Sequence, residues 1–243
     1  MKFETSIRYV DRKTKAAYVA DKYGELLKGR ILDVGGDDGH IRSYLPEGTQ
    51  YVGVDLVGRP GVLEVNLEQQ PIPDDDASFD TVMCLDVLEH LENLHAVFVE
   101  LARVTRRWLI VALPNPYSDF YQHLVAVGHA EGGALQHYGV PPEPPNDRHK
   151  WFYAGSQARE VLQGWASQVG LETVQFDTEQ PEPMRRLPRS MDDVARWKTR
   201  ILERLLFPRG TFWDDLHHGT HWWVFRKSHA PSIGTRDAGE CHR

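Results

Sequence analysis

Two acids and a glycine-rich turn carry the most specific chemistry in this chain. The run Arg30-Ile-Leu-Asp-Val-Gly-Gly-Asp-Asp-Gly39 sets an apolar segment (Ile31, Leu32, Val34) directly before Gly35, Gly36 and Gly39. Glycines there let the backbone approach a ligand closely and aim the N–H groups of a following helix start at it. A second apolar segment, Tyr51-Val-Gly-Val-Asp55, ends in an acid. A carboxylate at the tip of a second strand accepts two hydrogen bonds side by side, so it can hold both hydroxyls of a ribose. The first half of the chain therefore reads as a nucleoside holder. Its glycines do not follow G-x-G-x-x-G, and His40-Ile-Arg42 stands where a P-loop needs a lysine and a hydroxyl. Tyr18 and Lys22 have a dehydrogenase-like spacing but precede the nucleotide turn, which argues for coincidence.

Such a site needs a scaffold, and the hydrophobic pattern supplies one. Residues 10–28 read as a helix through Ala16, Val19, Tyr23, Leu26 and Leu27, ended by Gly29. Strands are expected at 30–34, 51–55, 62–65, 79–85, 108–113, 171–176 and 221–227, and helices near 39–45 and at 92–105, 154–170 and 190–206. Strands alternating with helices predict a parallel sheet covered on both faces. The stretch 114–150 breaks the rhythm with aromatics, four histidines (His123, His129, His137, His149) and the run Pro141-Pro-Glu-Pro-Pro145, as a lid or binding region would. Residues 228–243 are polar and aperiodic, the mark of a disordered tail.

Composition narrows the function classes. The 243 residues suffice for one large domain, and the hydrophobic share of 41% is that of an ordinary globular protein. A formal charge of −7 with no basic stripe argues against a nucleic-acid groove. Cys84 and Cys241 read as free thiols suited to a reducing, cytoplasmic setting. No apolar run is long enough to span a bilayer, and Met1-Lys-Phe-Glu-Thr5 lacks the apolar core of a secretory signal.

Taken together, Ile31–Gly39, Gly53-Val-Asp55, the run Ser78-Phe-Asp-Thr-Val-Met-Cys-Leu-Asp-Val-Leu-Glu-His-Leu91 and Ala112-Leu-Pro-Asn115 resemble the class I S-adenosylmethionine-dependent methyltransferases over about residues 25–176. The resemblance implies one domain over residues 1–227: an α/β, doubly wound, Rossmann-like seven-stranded sheet, last strand antiparallel, with lid insertions at about 114–150 and a helical insertion at about 185–210. It implies S-adenosylmethionine as cofactor. Asp33 and the backbone of Gly35, Gly36, Asp37 and Gly39 would surround its methionine moiety. Asp55 and Leu56 would meet the ribose, Asn66 and Leu67 the adenine, and Leu85 and Asp86 the methionine amino group. Asp37 stands where the family usually has glycine; aspartate tolerates the left-handed region, so the turn can survive.

Two constellations keep two readings each. Glu89 and His90 either anchor the turn after the fourth strand or, with Asp86, form a divalent-metal site similar to the acidic-x-x-Glu-His run of the ubiquinone-pathway O-methyltransferases; the anchor is favoured. His149, in Asp147-Arg-His-Lys-Trp-Phe152, resembles an element that lines acceptor pockets in related enzymes. It is the first candidate general base, with His123 and His137 behind it, against a purely structural role in tying down the lid. A metal role for His217, His218 and His221 is set aside because no carboxylate accompanies them. The function expected is methyl transfer to a hydroxyl or amine of a small-molecule acceptor, such as a sugar or secondary metabolite. The alternatives are a non-catalytic S-adenosylmethionine-binding module and an NAD-dependent oxidoreductase. Oligomeric state is not legible.

Overall fold

The computed structural model describes residues 9–120, 143–144, 147–179, 201, 205 and 218–228. Helix α1, Arg12–Tyr23, opens on a capping box: the Asp11 carboxylate accepts from the Thr14 backbone N–H at 2.7 Å, and the Thr14 hydroxyl accepts from the Asp11 N–H at 3.1 Å. The helix stops at Tyr23, several residues short of the expected end. Leu26 N–H bonds to the Tyr23 carbonyl at 2.8 Å and tightens the chain into a turn. Leu27 still packs in the core from that turn, so the apolar period outlasts the helix.

Strands β1 (Arg30–Val34), β2 (Gln50–Asp55), β3 (Val62–Glu64), β4 (Phe79–Leu85), β5 (Thr105–Leu113), β6 (Leu171–Thr178) and β7 (His221–Lys227) form one sheet in the order β3-β2-β1-β4-β5-β7-β6. The first five are parallel, and β7 runs antiparallel between β5 and β6. Alternation decides which residues face which layer. Leu32, Val82, Leu109 and Phe225 face α2 (Leu94–Val104) and α3 (Gly155–Gln168), while Ile31, Met83, Ile110 and Trp222 face α1. Each fully buried Leu or Phe of these layers contributes about 1.5–3 kcal/mol. The helix expected near 39–45 is a 3₁₀ turn, His40–Tyr44, and a second such turn spans Leu88–His90.

The strand order reverses between β1 and β4, so their carboxyl ends flare apart into a crevice. Of the expected lid, residues 114–120, 143–144 and 147–150 are described; His123, His137, the helical insertion and the tail fall outside the described residues, apart from Ser228 and single positions 201 and 205. No helix among the described residues is long and apolar enough to cross a membrane.

Candidate cofactor and acceptor site

The crevice is a cleft of about 890 Å³. Its floor is the turn after β1, where Gly35 and Gly36 N–H both bond to the Val54 carbonyl, at 2.9 and 3.2 Å, and lock the turn to β2. Asp37 takes the left-handed conformation, φ +46°, that its position demands. Its N–H donates to Asp55 Oδ2 at 3.0 Å, and the Val57 N–H donates to Asp55 Oδ1 at 3.2 Å, so the β2 carboxylate is fixed in orientation with lone pairs to spare. Burial alone would raise the Asp37 carboxyl. The guanidiniums of Arg12, which pairs with it directly, and of Arg59, at 3.0 Å, outweigh burial and hold it below the usual range.

Asp33 lies deeper. Burial pushes its carboxyl up to about 6, although the Tyr51 hydroxyl donates to its Oδ2 at 2.9 Å. Tyr51 reaches it only because position 53, opposite Asp33 in the sheet, is glycine: a Cβ there would meet the Tyr51 hydroxyl at 2.8 Å. Asn66 uses its side-chain oxygen to accept from the Glu68 N–H at 3.0 Å, which orients the amide and leaves that oxygen a second lone pair. Asp86 has a positive φ of 55°; one of its oxygens pairs with Lys15 of α1, and Oδ1 is buried without a hydrogen-bond partner among the described residues.

On the far wall Glu89 is 2% exposed, and among the described residues neither of its carboxyl oxygens has a hydrogen-bond partner. Burial first, then the neighbouring Asp86, drives its carboxyl well above the usual range. The His90 ring bonds through Nδ1 to Asp147 at 2.8 Å, and its Nε2 stands 3.7 Å from Glu89. The buried His149 ring lies edge-on to it, centroids 4.6 Å apart. Ligand atoms of Glu89, His90 and His149 fall within 4.8 Å of one another, a spacing a divalent ion could bridge. This set differs from the Asp86, Glu89 and His90 expected from sequence. The backbone at Asp86 is left-handed rather than helical, so that side chain turns to Lys15.

Asp33, Gly35, Gly36, Asp37, Asp55, Leu56, Asn66, Leu67, Leu85, Asp86 and His149 all line the cleft. Gly39 does not; its φ of +65° and its N–H bond to the Gly36 carbonyl at 2.7 Å close the turn behind the lining residues. Sequence reasoning overlooked Arg12, Lys15, Tyr51 and Arg59. The spacing of Arg12 and Lys15, i and i+3 on the polar face of a capped helix, is the signal that could have marked them. Tyr18 and Lys22, on the same helix, do not line the cleft: the Lys22 ammonium donates to buried Asp177 at 2.6 Å and to the Tyr18 hydroxyl at 3.2 Å. That is a structural pair with no opening to the cleft, and it removes the dehydrogenase signal.

A doubly wound sheet with an antiparallel β7 and an acid-lined cleft at its switch point defines the class I methyltransferase fold. The chain matches the family model described as a methyltransferase domain over residues 8–175. It belongs to that family, and it is an S-adenosylmethionine-dependent methyltransferase. It is 27% identical over 170 residues to the ubiquinone biosynthesis O-methyltransferase of Pseudoalteromonas translucida (strain TAC 125), covering 64% of this chain and 68% of that protein. The crystal structure of a SAM-dependent methyltransferase from Archaeoglobus fulgidus superposes with a TM-score of 0.56 at 18% identity, over 89% of this chain and 95% of that one. The [4+2]-cyclase SpnF superposes with a TM-score of 0.54 at 14% identity, over 94% and 88%. At such identities the likeness speaks to fold alone, and a cyclase among the neighbours shows that acceptor chemistry must be argued from the site.

Proposed function

We propose that the chain methylates a hydroxyl or amine of a small molecule, with the cofactor between the β1 turn and Asp55 and the acceptor entering beside Glu89, His90 and His149. The observation that carries this reading is the cleft itself. One end offers the Asp55 carboxylate to a ribose, and the other gathers Glu89, His90 and His149 with polar atoms within 4.8 Å of one another. The residues fit the cofactor's charges. Asp33 and Asp86 Oδ1, which has no hydrogen-bond partner among the described residues, suit its ammonium and sulfonium, Arg12 and Lys15, beside Asp37 and Asp86, suit its carboxylate, and Asn66 with the Leu67 backbone suits adenine.

The bound cofactor supplies a methyl group on a positive sulfur. The protein must hold an acceptor in line with that methyl, exclude water and take a proton. His149 is the base this reading assigns, since a neutral imidazole accepts a proton near pH 7. The Lys150 N–H bond to the Glu89 carbonyl, 2.8 Å, holds the segment bearing His149 against the Leu88–His90 turn. The net charge of −7 favours a small polar molecule over a nucleic acid as acceptor.

Calorimetry with S-adenosylhomocysteine and NADH tests the cofactor assignment; tight NADH binding without S-adenosylhomocysteine binding refutes it. With an acceptor found by screening, His149→Ala should lower turnover at least tenfold and leave cofactor affinity within twofold. Unchanged turnover removes His149 as base. Turnover after EDTA dialysis and after adding Mg²⁺ or Mn²⁺ separates a base role from a metal-ligand role.

A further inference from the structure

Beside the cleft, on the far side of Glu89, lies a second pocket of about 210 Å³. Its walls are mostly apolar and aromatic: Leu94 and Trp165 from the α2–α3 layer, Val161 and Leu162 from α3, and Trp151 and Phe152 from the segment after His149; His95 and Gln157 are the neutral polar side chains among them. Glu89 alone among its lining residues is acidic, and Glu89 also lines the cofactor cleft, so this one side chain forms the party wall between the two spaces. Among the described residues neither oxygen of that carboxyl has a hydrogen-bond partner, although the residue is 2% exposed. A buried polar group left unsatisfied is costly and persists where a ligand group completes it.

The walls do not depend on a ligand for their placement. Trp151 Nε1 donates to the Leu91 carbonyl at 2.7 Å, the Tyr153 hydroxyl donates to the Pro114 carbonyl at 2.9 Å, and the Trp165 ring packs on His95 with centroids 4.3 Å apart. Such a preformed pocket binds without ordering cost. Size limits the occupant: an apolar cavity of about 150 Å³ takes up benzene, whereas whole drug-sized ligands need roughly 300–1,000 Å³. One substituted ring fits.

We propose that this pocket receives an apolar ring of the acceptor, and that Glu89 accepts a hydrogen bond from a hydroxyl or amino group on that ring where the ring meets the cofactor cleft. The inference rests on the methyl-transfer reading and narrows its acceptor from polar molecules in general to ring compounds bearing an O–H or N–H donor. A free sugar offers the donors without the apolar ring, and the mainly apolar walls would strip its several hydroxyls of water with only Glu89, His95 and Gln157 to pair them.

The test uses protein saturated with S-adenosylhomocysteine, whose own binding is measured first by calorimetry. Phenol, aniline, toluene and glucose are then titrated by ligand-observed NMR. Phenol or aniline should bind at least tenfold more tightly than toluene, and glucose should not bind; a preference between the first two identifies the donor. Val161→Trp should weaken phenol at least tenfold while S-adenosylhomocysteine affinity stays within twofold. Glu89→Leu should raise Tm, because it removes an unpartnered buried acid, and should abolish the preference for phenol over toluene, whereas Glu89→Gln, which keeps an acceptor oxygen, should retain it. If S-adenosylhomocysteine binds but phenol and toluene bind alike, or phenol ignores Val161→Trp, the pocket proposal falls and the methyl-transfer reading stands. Failure of S-adenosylhomocysteine to bind overturns both.

Discussion

Cofactor affinity should weaken about tenfold between pH 7.5 and pH 5, and Asp33 should be the cause. Burial raises the Asp33 carboxyl to about 6, and the Tyr51 hydrogen bond only partly opposes that. A ligand ammonium placed in the same cleft reverses the penalty and returns the carboxyl to about 3.9, the ordinary value, or below. Above pH 7 Asp33 is ionised with or without ligand, and binding moves no proton. At pH 5 the free protein holds the proton and the complex does not, so binding releases it at a cost of about 1.4 kcal/mol, a factor of about ten. The same shift acts on folding. Because the folded value lies above the unfolded one, the contribution of Asp33 to stability is fully present below about 4 and is lost as pH rises through about 6. Calorimetry of S-adenosylhomocysteine binding from pH 5 to 7.5, in two buffers of different ionisation enthalpy, measures both affinity and released protons. Tyr51→Phe should move the midpoint upward, and Asp33→Asn should flatten the profile at lower affinity. A wild-type affinity independent of pH over this range, with no proton release, refutes the argument.

Three further outcomes follow from the geometry. Asp55→Ala should weaken S-adenosylmethionine by about 1–3 kcal/mol, the worth of hydrogen bonds to a charged acceptor; a calorimetric change under twofold would remove Asp55 from the ribose site. His221 is buried with no hydrogen-bond partner for either ring nitrogen among the described residues, and burial, then His218, lowers its pKa to about 4. Its contribution to stability is therefore complete above about 6.5 and is lost as pH falls toward 4, so His221→Phe should gain about 2 kcal/mol at pH 5 relative to pH 7.5, read from urea unfolding. Lys22→Met strands the buried Asp177 and should cost about 3–5 kcal/mol in the same assay, while the double variant with Asp177→Leu should recover most of it; a single variant as stable as wild type would show that the pair carries no strain when broken.

What the sequence determined by itself was local or periodic. The short, nearly continuous apolar runs of β1, β4 and β7, buried on both faces of the sheet, and the helical period of Leu94, Val97, Phe98 and Leu101 marked element type, because burial follows the backbone's own geometry. The glycine turn and the acid at Asp55 were legible because each is a short run whose residues act on the same few backbone atoms. The end of α1 was not, because Leu27 is buried from a turn as fully as it would be from a helix. Tertiary structure alone brought Arg12 to Asp37 and Lys15 to Asp86, 25 and 71 positions along the chain, by docking α1 over the switch point. It also decided the metal-spaced set: the left-handed turn at Asp86 sent that carboxylate to Lys15 and left Glu89 to meet His90 and His149. Sequence spacing names which side chains are near one another along a helix or strand. Whether a buried carboxylate such as Glu89 finds a partner depends on which elements pack around it, and no local pattern encodes that.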